Sequence, residues 1–366
     1  MIGAEYIICL AITAGNFGAC RFKGMVFKGF GFSADPRKGA MIMKTVLVTG
    51  GCGLIGQHLC SGLLKKQFAV IAVDRESSVY NEGKYNYEFV QANPDDRNAY
   101  AEIFDKYKID IVVHAACTVD NDLGPIIGEE QIKESENCDK FLYRYAMTND
   151  NVKMFILLST DQVYEFPKTR EPIREEDDLK PRTNYAVMKF ASEKALFSEM
   201  SHHKDEDGEY KVMCCIIRYA PVYTLNFTDN LMAKITDPKD GVNFVYGKGQ
   251  YGFQLCCVHN LVDFILSYVK AADNNSYAGV YNVSDKLLIT AADIIAYMRA
   301  KHSLGTVVQR SPGGAVNKLK GLFSSNKEEK VNYRYNDLSK LENNNMLDKT
   351  KASKLTNFRW DINNTK

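Results

Sequence analysis

The sequence has little net charge, few cysteines and no long apolar run, and each absence argues against a class of protein. Its 366 residues contain 46 Lys and Arg against 45 Asp and Glu, so the formal net charge is +1. That balance argues against a nucleic-acid binder that relies on a basic surface. Apolar runs such as residues 7–14 are far shorter than the roughly 20 residues that a membrane-spanning helix needs. We therefore expect no integral membrane segment and no nucleic-acid partner.

Cysteine is too sparse for a disulfide scaffold. The chain has ten cysteines, none in a C-x-x-C motif, and two adjacent pairs, Cys214-Cys215 and Cys256-Cys257, lie inside apolar runs. This usage favours a reducing compartment and predicts a cytoplasmic location. Because no Cys or His cluster has zinc spacing, we predict that most cysteines are core residues and that the protein holds no metal.

Three regions of the chain differ in composition. Residues 1–40 are rich in glycine and poor in acidic residues, which predicts a disordered N-terminal extension and leaves organellar targeting open. From residue 41 to 220, short β-branched runs alternate with helical patterns, which predicts an α/β fold: a Rossmann-type, doubly wound parallel sheet. Residues 221–366 predict a smaller C-terminal substrate-binding lobe, partly interleaved with the sheet, with a flexible loop at 311–351.

Periodicity assigns the individual elements. The predicted strands of the sheet are 45–49, 69–74, 87–92, 111–115, 153–159 and 211–219. The predicted helices between them are 56–66, 97–107, 135–148 and 183–202. In the lobe we expect strands at 243–246, 256–258 and 280–283 and a helix at 260–272.

A glycine-rich turn joins the first predicted strand to the first helix. It reads Gly50-Gly51-Cys52-Gly53-Leu54-Ile55-Gly56, and such a turn lets backbone N–H groups and a helix N-terminus face a pyrophosphate. Asp74 follows Gly56 by 18 residues at the end of the second strand. A carboxylate there accepts hydrogen bonds from the ribose hydroxyls and repels a 2′-phosphate. The turn and Asp74 together predict NAD as the cofactor, with NADP disfavoured.

Catalytic residue types follow later in the chain. Tyr185 and Lys189 lie four residues apart in a predicted helix, so both occupy one face of it. A nearby ammonium favours the phenolate, which makes a tyrosine a usable base near neutral pH. Thr160 follows the strand 153–159, at the sheet edge where open parallel sheets bind ligands. The pattern predicts an active site at this edge, with Thr160 donating to a substrate oxygen.

In order and spacing, these residues resemble the extended short-chain dehydrogenase/reductase family, also called the NAD-dependent epimerase/dehydratase superfamily. The resemblance covers residues 44–300 and includes His114-Ala115-Ala116 and Asn137. It implies that Tyr185 is the general base or acid, that Lys189 binds the nicotinamide ribose, and that Thr160 polarises the substrate oxygen. The cofactor-binding residues that it implies are Gly50, Gly53, Leu54, Ile55, Gly56, Asp74, Asn93, Ala115 and Lys189.

The sequence departs from the family pattern at three places. Asn93 stands where the family usually has an Asp, and we expect its amide oxygen to accept from the adenine amino group. Gln162 stands where the sugar dehydratases have a Glu; it has no proton to exchange, so the resemblance disfavours a dehydratase. Tyr223-Thr224-Leu225 replaces the usual Tyr-Gly-Pro, so the substrate half is divergent.

The leading hypothesis is an NAD(P)-dependent oxidoreductase or epimerase that acts on a secondary alcohol or ketone of a small-molecule substrate. Segments 243–249, 258–260 and 281–285 resemble the 3β-hydroxysteroid dehydrogenase branch and slightly favour a steroid-like substrate. The alternative is a nucleotide-sugar epimerase, which needs cations for a diphosphate. The candidate cations are Arg218, Lys234 and Lys248.

A third hypothesis belongs to another class of function. A regulatory or scaffold protein can keep an NAD-binding fold without turnover. The intact Thr160, Tyr185 and Lys189 argue against this hypothesis, because a protein without turnover has no need of the phenol. The sequence leaves assembly as a homodimer open.

Overall fold

A computed structural model describes most of the chain after its first 42 residues. It covers residues 43–77, 81, 83–117, 129–165, 171–204, 206, 208–271, 277–311 and 346–364. The predicted extension 1–40 and most of the predicted loop 311–351 lie outside these ranges. The description below concerns the covered residues.

Strands and helices alternate through the first half and become shorter in the second. The strands are β1 Thr45–Thr49, β2 Ala69–Asp74, β3 Tyr87–Gln91, β4 Ile111–His114, β5 Met154–Leu158, β6 Met213–Tyr219, β7 Val222–Tyr223, β8 Asn243–Tyr246, β9 Gly252–Phe253, β10 Cys256–Cys257, β11 Gly279–Val283, β12 Ile289–Thr290 and β13 Val307–Arg310. The helices are α1 Leu54–Lys65, α2 Arg97–Lys106, α3 Glu129–Thr148, α4 Asn184–His202, α5 Asp229–Met232, α6 Val258–Ala271 and α7 Ala291–Lys301.

The main sheet has seven strands in the order β11-β6-β5-β4-β1-β2-β3, and every pairing in it is parallel. β1 lies between β2 and β4, so the chain turns from one half of the sheet to the other after β3. Open α/β sheets bind their ligands at such a switch point, beyond the carboxyl ends of the strands. This topology confirms the predicted Rossmann-type fold.

Both faces of the sheet are buried, because successive strand residues point to opposite sides. Val46 and Val48 of β1 join a core formed with α1 and α6, whereas Leu47 between them joins a second core formed with α2, α3 and α4. β4 and β5 are buried over their whole length. The continuous apolar runs in the sequence are therefore explained by helices that cover the sheet on both faces.

The largest difference from the predicted bounds lies at a helix start. α1 begins at Leu54, two residues before the predicted start, because Gly53 takes the N-cap position with extended backbone. α3 begins at Glu129, six residues before the predicted start, since its first turns are polar and carry no apolar period. α4 begins at Asn184, one residue after the predicted start, because Thr183 is its N-cap and its hydroxyl accepts from the Ala186 N–H at 3.0 Å.

The second half of the chain supplies both a strand of the main sheet and the smaller lobe. β11 pairs with β6, and the two-stranded pairs β7–β10, β9–β12 and β8–β13 build the lobe around its own apolar core. The C-terminal segment packs against the rest of the described chain. The Ile173 N–H donates to the Met346 carbonyl at 2.7 Å, and Leu347 is buried. The domain boundary at residue 220 stays a prediction, although one strand of the sheet comes from beyond it.

The state of the cysteines and the length of the apolar helices can be read from the described residues. Of the cysteines in the described ranges, all are free thiols, and Cys60, Cys214, Cys215, Cys256 and Cys257 are buried as predicted for core residues. Within the same ranges, no helix is both long and apolar enough to cross a membrane.

Candidate active site

The glycine turn after β1 forms an open backbone cradle at the N-terminus of α1. Gly50 has a φ of +70°, a left-handed conformation that favours glycine, and a Cβ there would lie 2.7 Å from Ala116 N. A Cβ on Gly56 would lie 2.0 Å from the Gly50 carbonyl oxygen, so this glycine lets the helix approach the turn. A Cβ on Gly53 would meet just the Gly50 oxygen at 3.4 Å among the described atoms. Gly50 and Gly56 shape the turn, and Gly53 leaves it open to a ligand.

Asp74 lies beside this turn at the end of β2. Its Oδ2 accepts from the Cys52 N–H at 2.9 Å and its Oδ1 from the Glu76 N–H at 3.2 Å. Each carboxylate oxygen keeps a further lone pair for a ribose hydroxyl. The open turn, the helix N-terminus and this carboxylate together fit a dinucleotide such as NAD.

Tyr185 and Lys189 share one face of α4, beneath the carboxyl edge of the sheet. The Lys189 ammonium is 4% exposed and donates to the Ala116 carbonyl at 3.5 Å, so it reaches the loop after β4. Burial raises the pKa of Tyr185 well above its ordinary value, and the neighbouring Tyr219 phenol and Cys117 thiol act in the same direction. The phenolate therefore needs positive charge nearby, which an ammonium and an oxidised nicotinamide would supply.

Thr160 follows β5 directly and is 3% exposed. Its hydroxyl accepts from the Gln162 N–H at 3.3 Å and lies 3.4 Å from Asp161 Oδ1. The Gln162 side chain turns to α4, where its amide oxygen accepts from the Thr183 hydroxyl at 3.1 Å. Asp161 is buried and lies close enough to Tyr185 to raise the pKa of that phenol. Gln162 thus binds at the start of α4, while Asp161 lies near Tyr185.

The remaining predicted residues lie around this centre at different depths. Ala115 packs against Gly50 at the start of the loop after β4. Asn93 is exposed just after β3. Asn137 of α3 is exposed and lines a cavity of about 520 Å³ with Pro94 and Asp95, so the structure does not bring it to Tyr185 and Lys189.

Glu193 is a buried residue that the sequence analysis missed. It follows Lys189 by four residues on the same face of α4 and is 1% exposed. It accepts from the Ser159 hydroxyl, beside Thr160, and forms a two-bond ion pair with Arg218, with Nη2 to Oε2 at 2.7 Å and Nε to Oε1 at 3.1 Å. Glu193 thereby ties the ends of β5 and β6 to α4. The i, i+4 spacing from Tyr185 through Lys189 was the signal for it.

The three candidate cations for a diphosphate have different surroundings. Arg218 is 3% exposed, paired with Glu193 and stacked 4.8 Å above the Tyr164 ring, so it is not available to a ligand. Lys234 is buried near the Phe253 ring, and Lys248 is exposed. Of the three candidates, Arg218 does not fit a diphosphate, because its charge neutralises the buried Glu193 carboxylate. In the part of the chain that the structure describes, no group of three or more His, Cys, Asp or Glu side chains could hold a metal ion.

A model of the NAD dependent epimerase/dehydratase family matches residues 46–284. The chain belongs to this family. The match spans more than half of the chain and contains the glycine turn, Thr160, Tyr185 and Lys189. It confirms the family that the motifs resembled, and with it NAD as the expected cofactor.

Two curated members of the epimerase/dehydratase family illustrate the range of similarity. The chain is 35% identical to dTDP-D-glucose 4,6-dehydratase of Dictyostelium discoideum over 140 residues, covering 35% of this chain and 31% of that protein. It is 29% identical to UDP-glucose 4-epimerase of Drosophila melanogaster over 178 residues, covering 43% and 48%. The chain spans less than half the length of these relatives. Membership of the family therefore does not by itself give this chain their activities.

Solved structures of the same family agree in fold. UDP-glucuronic acid 4-epimerase from Bacillus cereus, in complex with NAD, matches with a TM-score of 0.61 over 88% of this chain and 95% of that chain. Because the identity is 18%, this likeness concerns the fold alone.

Proposed function

We propose that this protein is an NAD-dependent epimerase of a nucleotide sugar. One observation carries the proposal: Lys189, one turn after Tyr185 on α4, donates to the Ala116 carbonyl beside the glycine turn, while Gln162 has no proton to exchange and binds Thr183. The relatives named as nucleotide-sugar epimerases and dehydratases support this substrate class over a steroid.

The residues divide the proton chemistry of an epimerisation between them. NAD, held by the glycine turn and Asp74, would accept and later return a hydride. Tyr185 takes the proton of the sugar hydroxyl as the alcohol becomes a ketone and gives it back when the ketone is reduced on its other face. Thr160 donates to that oxygen, and the Lys189 ammonium favours the phenolate of Tyr185. The substrate leaves with no net oxidation.

A dehydratase is the second candidate, because Asp161 is buried beside Thr160 at 3.4 Å. Loss of water from a sugar requires one group that protonates the leaving hydroxyl and another that removes a proton from carbon. Asp161 supplies one titratable group, but the adjacent Gln162 supplies none. We therefore favour epimerisation, in which one phenol serves both half-reactions.

The test is to incubate the purified protein and NAD with UDP-glucose, UDP-glucuronic acid and dTDP-glucose, and to identify products by NMR. We expect a 4-epimer from at least one of them. Tyr185→Phe should lower the rate by about 10² to 10⁴, because proton transfer by a positioned side chain contributes that much. Thr148→Ala, at the exposed end of α3, is a control that should keep full activity.

Three other outcomes would change the proposal. A 4-keto-6-deoxy sugar, lost in Asp161→Asn, would identify a dehydratase. Turnover of none of these sugars by a protein that binds NAD would favour the non-catalytic hypothesis, and oxidation of a 3β-hydroxysteroid would restore the steroid branch.

A further inference from the structure

A cleft of about 410 Å³ lies at the C-terminal ends of α1 and α6, and the C-terminal segment 353–359 forms its third side. α1 begins at the glycine turn, at the carboxyl edge of the sheet, and runs back along the sheet. Its 12 residues place its far end about 18 Å from that turn. The cleft is therefore separate from the candidate active site.

Close packing of the two helices brings two lysines to this cleft. A Cβ on Gly62 of α1 would lie 3.0 Å from Val262 and 3.1 Å from Leu266 of α6, so the missing side chain lets the helices approach. Lys66 follows Gly62 by four residues, and Lys270 follows Leu266 by four residues, which is about one helical turn in each case. Both lysines consequently line the same cleft.

The C-terminal segment adds two more cations, Lys354 and Arg359. The Arg359 guanidinium is held in place, because its Nη2 lies 3.3 Å from Asp263 Oδ2 and its carbon lies 4.8 Å from the centre of the Trp360 ring. A guanidinium has five N–H donors, so donors remain for a ligand after this pairing.

The positive charge of the cleft exceeds its negative charge. Asp263 is the one carboxylate among the described residues that line it. Its Oδ2 already binds the Arg359 guanidinium and accepts from the Trp360 indole N–H at 2.9 Å. Three ammonium groups thus line the cleft without a carboxylate partner, in a protein whose formal net charge is +1.

The charges of Lys66, Lys270 and Lys354 are not used within the described part of the protein. All three side chains are exposed, and none makes an ion pair or a hydrogen bond there. Lysines near a helix C-terminus commonly donate to the last carbonyls of the helix, but Lys66 and Lys270 do not. Their ammonium groups are therefore available to a ligand.

Neutral groups between the cations complete the lining. The hydroxyl groups of Ser267, Ser353 and Thr356 can each donate or accept a hydrogen bond, and Leu266 and Leu355 provide apolar surface. Ser267 lies on the same face of α6 as Asp263 and Lys270, at spacings of four and three residues. The lining thus combines cations with neutral donors from three separate parts of the chain.

We propose that this basic cleft is a second anion site, which binds a small oligophosphate while NAD occupies the glycine turn. Ammonium, guanidinium and hydroxyl donors are the groups with which proteins bind phosphate. An anion with a single charge would pair with one lysine and leave the others unpaired, whereas an oligophosphate matches several. The cleft also has the concave form and volume of a small-molecule site. Binding there is independent of the proposed epimerase activity.

Isothermal titration calorimetry of tripolyphosphate into the full chain tests the proposal. Saturating NAD is present throughout, so that the pyrophosphate site of the glycine turn is occupied. We expect saturable binding of one tripolyphosphate per chain, with an affinity that falls as NaCl is raised, because the cations are exposed. ATP as a second titrant separates two sources of the anion: tighter binding of ATP indicates a nucleotide, and equal binding indicates the phosphate chain alone.

Charge removal locates the site. Each of Lys66→Gln, Lys270→Gln and Lys354→Gln should weaken tripolyphosphate binding by about three- to tenfold, and the triple variant should show no measurable binding. These side chains are exposed, so the variants should keep the fold, which circular dichroism checks. Lys301→Gln is the matched control, because Lys301 is exposed in the last turn of α7 as Lys270 is in the last turn of α6, but does not line the cleft.

Three results would overturn the proposal. They are no saturable binding by the wild type, unchanged binding by the folded triple variant, and an equal loss of affinity in Lys301→Gln, which would indicate general charge attraction. Gly53→Val, in which the glycine turn is filled, should bind tripolyphosphate as the wild type does. Because the titration measures no turnover, a failure to epimerise any sugar removes the proposed function and leaves this result intact.

Discussion

The polar groups buried beneath α4 and those buried in the lobe are stabilised in different ways. Beneath α4, the Glu193 carboxylate is paired with the Arg218 guanidinium, with Nη2 and Oε2 2.7 Å apart. In the lobe, Asp285 is 1% exposed and held by neutral donors: the Tyr223 hydroxyl, the Cys257 N–H and an Asn260 amide, each at 2.7 Å. Burial raises the pKa of Asp285 to about 6, despite those hydrogen bonds. The sheet edge holds a charge paired with an opposite charge, whereas the lobe holds a carboxyl group whose pKa burial raises.

The largest expected difference between the two regions concerns ligand binding. Gly53→Val should abolish NAD binding, because its side chain would occupy the opening of the cradle, where a Cβ meets just the Gly50 oxygen, at 3.4 Å, among the described atoms. Gly305→Val in the lobe is the matched control, since a Cβ there would meet just Asn243 Nδ2 at 3.9 Å among the described atoms. Isothermal titration calorimetry with NAD measures both; wild-type affinity in a folded Gly53→Val would contradict the assignment of the cradle.

Next in size is the effect of leaving a buried charge unpaired. Glu193→Gln should reduce the free energy of unfolding by about 3 to 5 kcal/mol, because the Arg218 guanidinium then stays buried without its partner. Urea denaturation at pH 7 measures this change. The double variant with Arg218→Met should recover part of the loss, and a double variant no more stable than the single one would show that packing, and not charge, dominates.

The titrating carboxylate of the lobe predicts a pH effect of definite sign. Because the folded pKa of about 6 exceeds the unfolded value of about 3.9, Asp285 contributes stability below pH 4 that is lost as pH rises through 6. The shift of about two units corresponds to ~3 kcal/mol. Relative to Asp285→Asn, the wild type should therefore lose about that much stability between pH 4 and 7.5, measured by urea denaturation. A difference between the two proteins that does not vary with pH would refute the titration.

The smallest effect returns to the cofactor. Asp74→Ala should reduce the preference for NAD over NADP by about tenfold, the size of one lost hydrogen bond of ~1.4 kcal/mol. Asp74→Asn separates two roles, because its oxygen can still accept from Cys52 N–H while the charge is gone. If both variants keep the wild-type ratio of kcat/KM for the two cofactors, Asp74 does not select between them.

Residues with regular periodicity could be predicted from the sequence. The strands of the main sheet were located to within two residues, since β-branched runs between helices have few alternative structures. The glycine turn and the spacing of Tyr185 and Lys189 could also be predicted, because each is a local sequence pattern. Family membership was confirmed on these motifs.

Long-range polar pairs could not be predicted. Asp139 and His114 are 25 positions apart and meet at 3.0 Å only after α3 packs on the sheet. The same holds for Glu193 and Arg218. Because the sequence does not show that they pair, Arg218 remained a candidate cation for a ligand. In the lobe, short strands and loops have no sequence period. The substrate prediction therefore depended on the resemblance of short segments, which slightly favoured a steroid, whereas the relatives are named for nucleotide sugars.

β11 also affects how the protein is made. During synthesis on the ribosome, β6 is complete at residue 219, but β11, which pairs with it, is complete only at residue 283. At ~5–20 residues per second, translation leaves the apolar strand Met213–Tyr219 as an uncovered edge for about 3 to 13 seconds. During that interval the nascent chain is a template for pairing with other strands. A chaperone that binds extended apolar segments would therefore act on this protein mainly between those two points of its synthesis.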